Sequence, residues 1–266
     1  MSWAQIAGLP ARGRTYVGSP SIVVLPDGTY VASNDLFGAG CSGDTTWIHA
    51  STDRGQSWQR IAVLVGQWWS TLFVHRGTLH LMGTTREYGS AVIRRSDDGG
   101  RTWTTPDHAH RGLLRDDGRY HCSPQPLVIH DGRVWRAMED LHGGHAWGHH
   151  FRAFMMSAPL EADLLRADSW TCSERLASDL SWLDGAFGGC LQGNAVVGPD
   201  GTVCNLLRVD VPGSAEVAAL LRVSADGTRI TFDPARDLIP LPRRREEVHH
   251  PPRPAGRALV DAGHSC

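Results

Sequence analysis

The chain has 266 residues, 20% of them charged, with a formal net charge of −2 and a pI near 6.7. That balance gives no basic footprint for nucleic acid or an anionic membrane, and no apolar run is long enough to span a bilayer. The start, MSWAQIAGLPARGRTY, has no apolar signal core, so a cytoplasmic location is expected, or a secreted or periplasmic one if the start has been trimmed.

In chain order, short strand-like runs alternate with turn signals and no long helical period competes with them. The first hairpin, IVVLPDGTYVAS, turns at Gly28 and is followed by the strand-like runs TTWIHAS and SWQRIAVL. The second, LFVHRGTLHLMG, turns at Gly77 and precedes SAVIRRS and RTWTTP. LVIHDGRVWRAM and AVVGPDGTVCNL repeat the form around Gly132 and Gly201, each again followed by two strand-like runs. Glycine suits these turns because a tight hairpin holds one residue at positive φ, where a Cβ clashes.

Each unit therefore predicts four antiparallel strands in about 50 residues, the blade of a β-propeller. An eight-residue phrase stands between the third and fourth strands: STDRGQSW at 51–58 and SDDGGRTW at 96–103. Its Ser and Asp can bond the turn's own amides while its Trp packs between blades, which makes it a staple and not a site of chemistry. SADGTRITF at 224–232 is a degenerate third copy, and the third unit has the longer SAPLEADLLRADSW instead. Cys41, Cys122, Cys172, Cys190, Cys204 and Cys266 form no CxxC pair and are expected to be mostly buried free thiols.

The phrases resemble the Asp-box, or BNR repeat, of sialidase-like propellers. Together with YVGSPSIVVLPDGTYVASNDLFG, YHCSP and MED, they are similar to a bacterial branch related to propellers that cleave rhamnose- or uronate-containing glycans. The likeness runs over roughly residues 14–240. It implies an all-β propeller of six or seven blades when complete, of which four are written here, and an exo-acting glycoside hydrolase on an acidic glycan. The expected partner is an oligosaccharide or polysaccharide, with no cofactor and no metal, on a monomer.

Residues 1–241 are expected to form the partial propeller, and 242–266, PRRREEVHHPPRPAGRALVDAGHSC, a non-propeller tail. Its Pro/Arg content reads as a solvated segment. With one choice of GC-rich codons, reading residues 242–253 one base later gives PGGGKKFTIRRD, a first-strand text where a fifth blade would begin. The second reading of the tail is therefore a frameshift product.

In a propeller, polar groups gather where the starts of first strands and the ends of second strands meet the axis. Those positions supply Asn34, Asp35, Arg86, Glu87, Tyr88, Tyr120, His121, Glu139, Asp140, Gln192, Asn194, Arg208 and Asp210. A retaining, sialidase-type hydrolysis, as the resemblance implies, would pair Tyr88 or Tyr120 with Glu139 and use Asp35 as acid. Glu87 and Tyr88, read as neighbours on a strand, point oppositely and cannot be that pair. Sialidases hold the sialate carboxylate with three arginines, the first near the start, and YVGSPSIV carries none, which argues against sialic acid as the substrate. Related sequences often read Ser-His-Asp where this one has Asn34 between Ser33 and Asp35.

The rival reaction is elimination on a uronate, with His121 as base, a tyrosine as acid and Arg208 on the carboxylate. A catalytically inactive glycan-binding propeller is the third reading. Asn34, Arg86, Glu87, Asp140, Gln192, Asn194 and Arg208 are expected to bind substrate, and Trp68, Trp69 and Trp147 to offer stacking surface. His142, His145, His149 and His150 in LHGGHAWGHH read as a solvated Gly/His loop, with metal ligation the less favoured alternative.

Overall fold

A computed structural model of the chain describes residues 4–212 and 216–241. The tail at 242–266, with its two sequence readings, lies outside the described residues. The rest folds as four antiparallel sheets, each formed by a consecutive stretch of chain. The first blade comprises β1 (Tyr16–Val24), β2 (Tyr30–Phe37), β3 (Thr45–Ser51) and β4 (Gln59–Val65). The second comprises β5 (Trp68–His75), β6 (Thr78–Thr84), β7 (Ala91–Ser96) and β8 (Leu113–Arg115).

In the third blade the innermost position is split between β9 (Tyr120–His121) and β10 (Val128–His130), both paired with β11 (Arg133–Leu141). Next comes β12 (Phe151–Pro159), whose outer edge pairs with β13 (Thr171–Cys172) and β14 (Leu176–Ala177). The fourth blade has β15 (Gly189–Val197), β16 (Val203–Asp210) and β17 (Val217–Val223), edged by β18 (Ile230–Thr231) and β19 (Leu238–Pro240).

The cores lie between blades, because the middle strands are covered on both faces. In β6, Leu79 and Leu81 pack with Val31 and Ile48 of the first blade. Met82 on its other face joins Val134, Met138 and Phe154 of the third. Trp135 and Ala137 of β11 meet Ala195 and Val203 of the fourth. The outer face of the first blade is only partly covered: Ile22 and Val24 are exposed, whereas Asn34, beside Ile6 and Ala7, is buried with no side-chain hydrogen-bond partner among the described residues.

The repeated phrases form the staples that their residue types predict. Asp53 Oδ1 accepts from the Ser51 hydroxyl (2.7 Å) and the Ser57 amide (2.9 Å), and the Ser51 oxygen accepts from the Gly55 amide (2.8 Å). Asp98 repeats this with Ser96 (2.8 Å) and Thr102 (2.9 Å). Asp226 retains the Ser224 and Thr228 hydroxyls, at 2.5 and 2.8 Å. Trp103 Nε1 donates to Gly100 O (2.9 Å), and its ring packs against the core between the first two blades.

Three blades share a further irregularity. Their innermost strands carry a bulge near the axial end, between Gly18 and Ser21, Trp68 and Thr71, and Leu191 and Asn194. Each bulge holds one non-glycine residue in the left-handed region: Ser19 (φ 48°), Trp69 (φ 50°) and Gln192 (φ 58°). The third blade departs from this at 122–127, where the Ser123 and Gln125 carbonyls accept from the buried Arg136 guanidinium.

Candidate functional site

Strand alternation decides which of the axial residues meet. Neighbours on a strand point to opposite faces, so each adjacent pair from the sequence is divided. In the third blade Tyr120 is opposite Asp140 in the register and His121 is opposite Glu139. His121 Nδ1 donates to Glu139 Oε2 at 2.7 Å, with side chains 4% and 0% exposed. Glu139 Oε1 accepts from the Gly193 amide of the fourth blade (2.7 Å). The carboxylate thus fixes the tautomer of the imidazole and spans two blades. His121 Nε2 has no hydrogen-bond partner among the described residues and is not among the fully occluded polar atoms.

Aromatic rings surround this imidazole. Trp69 meets it edge-on with centroids 4.3 Å apart, Phe151 stacks at 4.7 Å, and Tyr88 lies at 6.2 Å. Trp69 also ties the first blade to the third: its amide donates to Asp35 Oδ2 (2.7 Å), and its carbonyl accepts from the Cys122 thiol (3.2 Å). Burial pushes the Cys122 thiol up to about 11, so it is a neutral donor at ordinary pH.

Asp35 is 1% exposed, and burial pushes its carboxyl up to about 7 against the opposing contacts of Thr46, the Trp69 amide and Ser19. Thr46 Oγ1 lies 2.6 Å from Asp35 Oδ1 and 2.9 Å from the Gln67 carbonyl oxygen. The Thr46 hydroxyl thus faces two acceptors, the Asp35 carboxyl that it donates to and the Gln67 carbonyl.

The remaining sequence candidates are dispersed. Asn34 points away from Asp35, to the outer face of the first blade, where it is buried beside Ile6 and Ala7. Tyr120 is buried against Phe154, and its hydroxyl donates to Asp117 (2.7 Å), away from His121. Asp140 is held by Arg152, at 2.7 Å to each oxygen, and by Arg175 (2.5 Å), so the histidine's partner is Glu139 alone. Arg86 and Glu87 are exposed in the turn after β6, not on a strand. Tyr88 follows them in the left-handed region (φ 54°), half-buried, with its phenol raised by burial and by the Glu87 carboxylate.

Gln192 lies in the β15 bulge and Asn194 resumes the pairing after it. Arg208 and Asp210 end β16; the Arg208 side chain is exposed and stands over Trp147 at 5.8 Å, and Trp147 in turn packs on Phe151. Trp68 is core, 2% exposed and packed on Phe37, so it offers no stacking surface; Trp147 is exposed. In the histidine loop, His145 Nδ1 accepts from Arg119 (3.2 Å) and His150 Nδ1 accepts from the Ala146 amide (3.0 Å). No group of three or more metal-ligating side chains occurs among the described residues.

Phe151 and the Gly193 amide are parts of the site that the sequence reading did not single out. Phe151 follows directly on the histidine loop as the first residue of an apolar run, FRAFMM, which reads as core. Gly193 could have been suspected from a glycine interrupting a strand, the mark of a bulge or a close backbone approach.

Sheet order, blade packing and the axial cluster define a β-propeller whose polar centre lies where second strands end. No protein-family model matches the chain, and no curated protein does. Solved structures do. An α-L-arabinanase of Penicillium chrysogenum complexed with arabinobiose aligns with TM-score 0.55 and 14% identity, covering 90% of this chain and 70% of that one. An α-L-arabinofuranosidase of Lactobacillus brevis gives TM-score 0.53 at 12% identity, over 85% and 79%. The GH93 α-L-arabinofuranosidase of Fusarium graminearum, also with arabinobiose, gives 0.51 at 14%, over 85% and 65%. At such identities the likeness is one of fold.

Proposed function

We propose that this propeller cleaves glycosidic bonds at its axial end as a glycoside hydrolase, with His121 as the group that moves the proton. One observation carries the reading: Glu139 holds His121 by Nδ1 at 2.7 Å, and Nε2, beside Trp69 and Tyr88, has no hydrogen-bond partner among the described residues. A carboxylate that orients a histidine and leaves its second nitrogen toward a reactant is a recurrent acid–base arrangement. Both oxygens of Asp35 and both of Glu139 are engaged by protein donors or acceptors, so neither acid is free to serve as nucleophile. In hydrolysis, His121 Nε2 takes a proton from the attacking water, and Tyr88, kept protonated by its surroundings, donates one to the leaving oxygen. The arabinose- and arabinan-cleaving proteins of the same fold support a sugar substrate. The resemblance of the stapled turns to Asp-boxes supports a sialidase-like branch.

Elimination on a uronate is the second reading, favoured by the same His121–Tyr88 pair, which would remove the C5 proton and protonate the departing oxygen. Incubation with arabino-oligosaccharides and with uronate-bearing oligosaccharides separates the two. Hydrolysis yields a new reducing end, while elimination yields an unsaturated uronate that absorbs in the ultraviolet. His121→Gln should lower turnover about 10²–10⁴-fold with an unchanged melt. Retained turnover in that variant would remove His121 from the reaction.

A further inference from the structure

Beside the axial site, at the junction of the second and third blades, is a polar cleft of about 410 Å³. Arg115 reaches it from β8, Arg119 from the loop before β9, Arg152 from β12 and Arg175 from the segment before β14. Four guanidiniums there face two carboxylates, Asp117 and Asp140, in a chain whose net charge is −2. The pairing leaves donors free. Arg152 commits Nε and Nη2 to Asp140, and Arg175 commits Nε alone. Arg115 gives Nε and Nη2 to Asp117, and Arg119 gives Nη1 to His145. Arg119, Arg152 and Arg175 therefore each keep at least one terminal nitrogen uncommitted to any described residue, while Arg115 also meets the Tyr120 hydroxyl.

Two of the arginines, Arg152 and Arg175, are fixed before any ligand arrives. Asp140 has a side chain only 5% exposed and anchors Arg152 and Arg175, whose side chains are 28% and 24% exposed. Arg175 also rests on the Phe154 ring at 4.7 Å. Guanidiniums held in this way lose little entropy on binding and present forked donors that match a planar or tetrahedral oxyanion. Arg119 links the cleft to the site already described: its guanidinium lies over the Tyr88 ring at 5.6 Å, and Tyr88 lies 6.2 Å from His121.

We infer that this arginine cleft is a subsite for an oxyanion substituent of the glycan, a carboxylate or a sulfate ester, carried on a residue next to the bond that is cleaved. The inference rests on the glycoside-cleaving reading and adds the charge of the substrate to it. It also transfers the role of anion partner from Arg208, exposed over Trp147, to arginines that no linear motif connects.

The test separates binding from cleavage. Glucuronate, galacturonate and inorganic sulfate are titrated calorimetrically into the whole chain at low and high salt, alongside Arg115→Gln and Arg175→Gln. Asp117 is well exposed, so Arg115→Gln strands no buried charge, and melting curves check that both variants remain folded. The expected result is uronate or sulfate binding that weakens with salt and falls about 10-fold or more in each folded variant. Tighter uronate binding identifies a carboxylate substituent, and tighter sulfate binding a sulfate ester. No binding, or binding indifferent to both substitutions, overturns the inference. Anion binding without cleavage of any oligosaccharide would leave the subsite standing and remove the glycosidase reading. Cleavage of neutral arabino-oligosaccharides without anion binding would do the reverse.

Discussion

Aspartate is used in opposite ways at the two ends of the blades. At the stapled turns, Asp98 accepts from the amides and hydroxyl of its own loop, and those bonds, the Thr102 amide foremost, hold its carboxyl down to about 2. At the axial end, Asp35 accepts from a neighbouring blade in a site closed to water, and its carboxyl rises to about 7. Both acids are hydrogen-bonded, so the bonds alone do not set the direction. Solvation does: an exposed carboxylate keeps water's stabilisation and gains the turn's amides, whereas a buried one loses more hydration than two or three neighbours restore. Staples are thus local devices that tolerate charge, while Asp35 joins two blades in a setting that favours its protonated form.

The strongest challenge to that contrast is Glu139→Ala. It would leave the His121 imidazole and the Gly193 amide without their shared acceptor across two blades, and up to about 5 kcal/mol of stability should be lost in denaturant titrations. A loss no larger than that of a surface change would mean that the axial acids do not join blades.

Asp35 gives the next effect, one of pH. Its folded value lies above its ordinary one of 3.8, so its contribution to stability is complete below about pH 4 and is lost as pH rises towards 7. The loss is on the order of 4 kcal/mol. Asp35→Asn, which cannot ionise, should flatten that part of the profile and match or exceed the wild type in stability at pH 8. Chemical denaturation across pH 4–8 measures this, and parallel profiles would show that Asp35 is ionised in the fold.

Trp103→Ala, removing a ring packed against the core between the first two blades, should cost about 3 kcal/mol, and Trp58→Ala, whose ring is not part of that core, less. Asp98→Ala should cost about 1 kcal/mol, the scale of a lost turn or cap bond. Its sign with pH is opposite to that of Asp35: the contribution is present above about pH 4 and disappears as pH falls towards 2. Thermal melts at pH 7 and pH 3 read both effects.

Most of the blade architecture is legible in the chain because hairpin turns announce themselves locally. Gly28, Gly77, Gly132 and Gly201 all sit at positive φ between the first two hairpin strands of their blades. The site is legible only to the level of strand ends. Asn34 beside Asp35, Tyr120 beside His121 and Glu139 beside Asp140 look equivalent in one dimension. Which member faces the axis depends on register, and in three blades the register passes through a bulge that no residue type announces. The arginine cleft is harder still to foresee. Arg115, Arg119, Arg152 and Arg175 come from two blades and share no motif, and they meet only because β8 ends where β11 and β12 begin their turn.

The left-handed bulge residues have a consequence for how such a protein can change its specificity. Ser19 reaches Asp35 and Trp69 reaches His121, each from a position whose backbone is already set apart from the ladder. An exchange at such a position alters what the centre presents without shifting the pairing of any strand. The propeller therefore carries interchangeable slots, one per bulged blade, on an unchanging frame. A library varied only at 19, 69 and 192 would sample ligand preference while leaving every strand partner in place.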